Sequence, residues 1–188
     1  MNTPKPYTED FWNYLSIPQQ DLIIEGNYLK DQIINDAEYS FKDYSFLVFP
    51  FSKAYEGYLK QIFLDVGFIS HLDYVSDHFR VGKMLSPNLR EKNGERSIYT
   101  QIERSISAEF ADEVWSTWKL HRNEILHYYP HNLKAITFQT ADYVAKKILQ
   151  TMQNAYKRLL LPLRPNPPFR GLKTKSVPGE GNDQWKYE

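Results

Sequence analysis

An all-α fold, an antiparallel helical bundle, is what this sequence predicts, on two observations. Four long stretches repeat their apolar residues at about 100° per residue, the period of an α-helix. The residues that stop helices fall mostly at the ends of those stretches: Pro50, Gly67, Pro130 and the prolines that follow Leu161.

In chain order, residues 19–38 place Leu22, Ile23, Leu29, Ile33 and Ala37 at mostly helical spacing, with Gly26 as a weak point. Residues 43–67 align Leu47, Phe51, Ala54, Tyr55, Tyr58, Leu59, Ile62 and Val66 on one face. Pro50 sits near the start, where proline is tolerated in the first turn or kinks the helix, and Gly67 is the stop. Residues 73–85 predict a short helix, and 86–94, with Ser86-Pro87-Asn88 and Lys92-Asn93-Gly94, a loop. Helix resumes near Ser97. From residue 111 a third long helix carries Val114, Trp115, Trp118, Ile125 and Leu126 in one stripe and ends near Tyr128, ahead of Pro130. The fourth, residues 137–160, has the clearest period: Phe138, Ala141, Ala145, Ile148, Met152, Ala155, Tyr156 and Leu159 share a face. Residues 1–163 therefore form one helical domain with short accessory helices, and 164–188, rich in proline, glycine and lysine, an extended tail.

Composition narrows the function. With 41% hydrophobic and 15% aromatic residues among 188, the chain has a core to bury. Twenty-three basic and 23 acidic residues give no net charge, which argues against a basic nucleic-acid clamp over the whole surface but leaves room for a local patch. Without cysteine there is no disulfide, thiolate metal site or cysteine nucleophile. The longest nearly unbroken apolar run, residues 46–51, is interrupted by Pro50 and far short of a membrane span. The first ten residues lack the basic-then-apolar order of a secretory signal, so a cytoplasmic location is expected. Neither a phosphate-binding glycine loop nor a metal-ligand set stands out, and no cofactor is expected.

The residues that carry chemistry lie in Leu-His-Arg-Asn-Glu-Ile-Leu-His, residues 120–127. Arg122 precedes His127 by five positions, and Asn123 follows the arginine. These are the groups of metal-free RNA cleavage. An imidazole moves a proton to or from the ribose 2′-hydroxyl or the 5′-leaving oxygen. A guanidinium holds two phosphate oxygens and offsets the charge that gathers on them. Chance gives about 0.6 Arg-x4-6-His pairs in such a chain, but about 0.04 once asparagine must follow the arginine, so only the composite pattern is informative. On an α-helical wheel Arg122 falls inside the apolar stripe, where it needs a partner: a carboxylate, the face of Trp118 or Trp115, or a phosphate. On the same wheel Asn123 shares a side with His127, placing it to orient the imidazole or the phosphate.

The Arg-Asn-x-x-x-His form on a late helix resembles the hallmark of the HEPN ribonuclease superfamily, Arg-x4-6-His with a polar residue after the arginine. Residues 44–60, Tyr-Ser-Phe-Leu-Val-Phe-Pro-Phe-Ser-Lys-Ala-Tyr-Glu-Gly-Tyr-Leu-Lys, resemble the helix that precedes this motif in the HEPN domain of the RNase LS type of toxin. The resemblance spans residues 43–160 and implies a toxin or phage-defence endoribonuclease that leaves 2′,3′-cyclic phosphate ends. By the same resemblance Arg122, Asn123 and His127 are the catalytic residues, and Lys53 and Glu56 support the site. Lysine at 53 stands where the family has arginine. It further implies a homodimer with both motifs facing one cleft around an RNA substrate, and an antitoxin or other neutralising protein as partner.

The same residues admit a second reading, a non-catalytic HEPN-like dimeric module that binds a protein partner, with Arg122 in a structural ion pair. Lys53, Glu56 and Lys60 then form a solvated face, and the basic run Arg164, Arg170, Lys173 and Lys175 a linker. His127 and His131 have metal-ligand spacing, but Pro130 interrupts the helix needed to align them.

Overall fold

A computed structural model describes residues 7–35, 39–128 and 130–163, excluding the side chains of Arg122 and Asn123. The expected tail, 164–188, lies outside the described residues. Among the described residues the fold is all-α. The α-helices are α1 (Glu9–Tyr14), α2 (Ile17–Asn35), α3 (Phe49–Asp65), α4 (His71–Val75), α5 (Val81–Leu85), α6 (Arg90–Asn93), α7 (Ile98–Ser105), α8 (Ala108–Ser116) and α9 (Phe138–Ala155). Two π-helices, Thr117–Glu124 and Tyr156–Leu160, continue α8 and α9. Among the described residues no helix is long and apolar enough to cross a membrane.

Side-chain contacts fix how the long helices run. Gln19 donates to Gln61 at 3.0 Å, while further along α2 Lys30 lies 5.2 Å from the Phe51 ring, so α2 and α3 are antiparallel. Glu113 reaches Asn154 at 3.1 Å and Thr117 meets Thr151 at 3.0 Å, so α8 and α9 are antiparallel as well. Tyr44 packs on Phe138 and Tyr58 on Met152, which makes α3 and α9 parallel. The result is an up-down-up-down bundle whose centre is α3.

Phe51, Ala54, Tyr55, Tyr58, Leu59, Ile62 and Phe63 of α3 have no exposed surface, because α2 and α9 pack along it and α4, α5 and both π segments add further cover. Pro50 lies in the first turn, behind a 3₁₀ turn at Ser45–Val48, and Gly67 ends the segment at φ 79°. Helix α2 packs closely enough on α3 that a Cβ at Gly26 would stand 2.6 Å from the Phe51 ring. Gly26 is thus a packing point within an unbroken helix, not the weak point its propensity predicts. Lys30, buried at the same contact, is paired with Asp142 at 2.9 Å.

Other expectations are corrected. Residues 73–85 form two helices, α4 and α5, separated by a turn; the Ser70 hydroxyl and Asp73 close a capping box on α4. The expected loop at 86–94 is instead two 3₁₀ turns, Pro87–Leu89 and Gly94–Arg96, around α6. Segments of three to five residues carry too few apolar positions for periodicity to register. Helix does resume at Ile98, capped by the Ser97 hydroxyl.

Candidate functional site

The segment that bears Arg122 starts as an ordinary helix. Ser107 caps α8 by accepting the Phe110 N–H, and Phe110, Ala111 and Val114 turn inward. At Thr117 the backbone widens to the π form, with i→i+5 bonding, and keeps it through Glu124. One buried hydroxyl sits at the change: Tyr55 of α3 donates to the Val114 carbonyl at 3.1 Å, the oxygen that also accepts the Thr117 N–H. A side chain inserted at a ladder carbonyl is a recognised cause of such a break. Burial pushes the Tyr55 phenol well above its ordinary pKa, so it remains a donor. The Thr117 side chain is buried too and bonds to Thr151, while Glu113 accepts from Lys147, Thr151 and Asn154 at 3.1–3.3 Å. The start of the π segment is therefore fastened to both α3 and α9.

This register corrects the helical-wheel expectations for Arg122, Asn123 and His127. A π-helix turns less per residue than an α-helix, so an α-helical wheel does not apply after residue 116. The helix also ends at Glu124, four residues earlier than expected; Ile125 and Leu126 form a turn and His127 a bend. How the side chains of Arg122 and Asn123 are placed lies outside the described residues.

His127 is exposed, and its N–H reaches the Glu124 carbonyl at 3.4 Å. Glu124 in turn accepts from Lys134 at 3.3 Å. Beyond His127 the chain reverses through His131 and Asn132, both in the left-handed region at φ 59° and 51°. Asp43 anchors this reversal to the approach to α3, accepting from Asn132 Nδ2, Ile136 N and Ser45 N at 2.9–3.2 Å. Burial raises the Asp43 pKa, but these hydrogen bonds outweigh it and hold the carboxyl below its ordinary value.

A groove of about 510 Å³ opens beside the π segment, lined by Glu56, Arg80, Gly82, Lys83, Trp115 and Trp118. Glu56, half-buried, follows Tyr55 on α3, Trp118 is the second residue of the π segment, and Arg80 and Lys83 come from α5 and the residue before it. Helix α5 sits directly on the Trp118 indole: a Cβ at Gly82 would come within 2.3 Å of its Nε1. Of the supporting pair, Glu56 lines the groove, whereas Lys53, one turn earlier, is exposed on α3 and is not among the lining residues.

Arg80 and Lys83 were not foreseen as site residues. Basic residues in a short segment carry no signature of their own, and their meaning comes from meeting Glu56 and Trp118, some 24 and 38 residues from Arg80. His121, half-buried, is a further titratable group beside the motif. Its Nδ1 is buried with no hydrogen-bond partner among the described residues, and its ring stands edge-on to Tyr143 with centroids 6.2 Å apart. Burial first, and then the Lys147 charge, push its pKa down, so it is held neutral.

Chemically, the groove offers a carboxylate, two cations and the partly exposed Trp115 indole, with Trp118 buried behind it. Comparison of the chain with protein-family models, curated proteins and solved structures finds no match.

Proposed function

We propose that the protein is a metal-independent endoribonuclease of the HEPN type, acting as a toxin or phage-defence effector. In the proposed step the ribose 2′-oxygen attacks the adjacent phosphorus, the P–O5′ bond breaks, and a 2′,3′-cyclic phosphate and a 5′-hydroxyl result. His127 is the acid–base group for the protons exchanged at the 2′- and 5′-oxygens. Arg122 offsets the charge on the non-bridging oxygens, and Asn123 orients phosphate or imidazole. Glu56 and Lys53 act electrostatically from α3.

The observation that carries this reading is the meeting of Glu56 with Trp118 in one open groove. It joins the carboxylate that the resemblance singles out to the helical segment that contains Arg122 and leads to the exposed His127. The test is incubation of labelled mixed-sequence RNA with the protein in EDTA, from about pH 5.5 to 8.5. Cleavage with cyclic-phosphate ends is expected, and His127→Ala and Arg122→Ala should each lower it about 10²-fold or more without unfolding the protein. Unchanged cleavage by either variant would sink the assignment.

One observation favours the second reading, a dimeric module that holds a protein partner. On α2 the apolar residues Ile17, Ile24 and Tyr28 recur on one side of the helix and are 74%, 55% and 62% exposed. On that reading Ile24→Lys abolishes self-association or partner binding, and no RNA is cleaved at any pH.

A further inference from the structure

A second hollow, of about 390 Å³, adjoins the first. Arg80 and Lys83 line both, and from them the second hollow extends to Lys92, Arg96 and Asp73. Four cationic side chains against one carboxylate leave an excess of three positive charges, in a chain whose formal net charge is zero. Arg96 is paired with Asp73 at 2.7 Å, and the Arg80 guanidinium donates to the Asp77 carbonyl. Lys83 and Lys92 have no carboxylate partner among the described residues, and both are exposed.

Local structure holds these cations in place. Asn93 of α6 donates through Nδ2 to the Lys83 carbonyl at 2.9 Å, tying α6 to α5. Asp73 lies in the capping box of α4, where the Ser70 hydroxyl, its largest influence, and then the Arg96 charge outweigh burial and hold the carboxyl below its ordinary pKa. Three short helices thus fasten a cationic hollow to the Trp115–Trp118 groove.

We infer that this hollow binds the phosphate backbone of single-stranded RNA whose bases enter the adjoining groove. The two hollows differ as backbone and base differ: one is cationic, the other carries the partly exposed Trp115 indole above the buried Trp118, and Arg80 and Lys83 form the border. Cations that track phosphates beside aromatic rings that take bases form the pattern of a single-strand site. An acidic protein surface would match the cations but not the Trp115 indole beside them. The inference rests on the ribonuclease reading of the groove, which it extends by assigning the flanking nucleotides to α4, α5 and α6.

The probe is a single-stranded 2′-O-methyl oligonucleotide, which binds but lacks the attacking hydroxyl, titrated into the full chain by fluorescence anisotropy at several salt concentrations. Replacing two phosphate contacts in Lys83→Gln/Lys92→Gln should flatten the slope of log affinity against log salt by about 1.4 and weaken low-salt binding about 10-fold or more. Both side chains are exposed, so the melting temperature should not change. An unchanged salt slope, or no binding of the oligonucleotide by the unsubstituted protein, overturns the inference. If the slope flattens while the unsubstituted protein cleaves no RNA, the phosphate site stands and the catalytic reading falls.

Discussion

The two π-helices begin alike and end differently. Each starts where a buried tyrosine of α3 donates to a carbonyl of the preceding helix: Tyr55 to Val114, three residues before Thr117, and Tyr58 to Met152 at 2.7 Å, four residues before Tyr156. Tyr55 and Tyr58 stand three apart on one helix, so a single face of α3 meets both breaks. After that the segments diverge. In Tyr156–Leu160 the side chains of Tyr156, Leu159 and Leu160 return to the core, and Arg158 covers the Phe110 ring at 4.6 Å. Within Thr117–Glu124, Thr117 and Trp118 are buried, Lys119 and Leu120 are exposed, His121 and Glu124 are half-buried, and the same stretch of chain carries Arg122 and Asn123 and leads to the exposed His127. The same backbone device can return a chain to the core or lead it to an exposed turn; the side chains after the break decide which.

That contrast can be broken by substitutions. Leu159→Ala, in the buried segment, should cost about 2–4 kcal/mol of stability in a denaturant titration, from lost burial and the cavity left behind. Leu120→Ala, at an exposed position of the other segment, should change stability by no more than about 0.5 kcal/mol. Similar losses from the two would mean that the segments do not differ in the way described.

A finer separation comes from the tyrosines. Tyr55→Phe and Tyr58→Phe each remove one buried hydroxyl donor and should each cost about 1 kcal/mol, the net worth of such a bond. On the ribonuclease reading only Tyr55→Phe reaches the site. It should lower kcat about 10-fold with little change in KM, because the loss misplaces the Arg122 segment without removing a contact to RNA. Equal effects of both variants on kcat would show that the tyrosines act only through global stability, and Tyr55 would lose its positioning role.

The same two breaks mark where sequence reasoning stops. The periodic faces of α3 and α9 were legible because seven of the eight expected apolar positions in each stretch are buried, and burial is what the 3.6-residue period records. Pro50, Gly67 and the helix start near Ser97 were legible because their effects are local. The π register was not. It depends on hydroxyls 59 and 94 residues away from the carbonyls they reach, and no window along the chain contains both partners. For the same reason the candidate site was only partly visible. Its motif residues stand in one short run, whereas the groove beside them assembles Glu56, Arg80 and Trp118 from three separate elements. Gly26 reads as a weak point in a helix; it is where the Phe51 ring needs the room, as Gly82 is for the Trp118 ring.

The smallest expected effect concerns pH and the neighbour of the motif. His121 lies in the exposed π segment, yet its ring is half-buried against Tyr143, its Nδ1 lacks a partner among the described residues, and Lys147 lies close enough to oppose a second positive charge. Its pKa is therefore lower in the folded protein than the value of about 6.5 in the unfolded chain. Between those two values the unfolded state binds more protons, so stability falls as pH drops below about 6.5 and levels off once the folded imidazole is protonated as well. His121→Phe removes the titration and should flatten that part of the melting-temperature profile. The acid loss that remains belongs to carboxylates held below their ordinary values, Asp43 at the reversal and Asp142 beside Lys30, and sets in at lower pH. No comparable imidazole lies in the buried π segment, so Leu159→Ala should shift the whole profile downward and leave its shape near pH 6.5 unchanged. A His121→Phe profile that keeps the full slope there would place the proton elsewhere and show that the polar segment is no more sensitive to pH than the buried one.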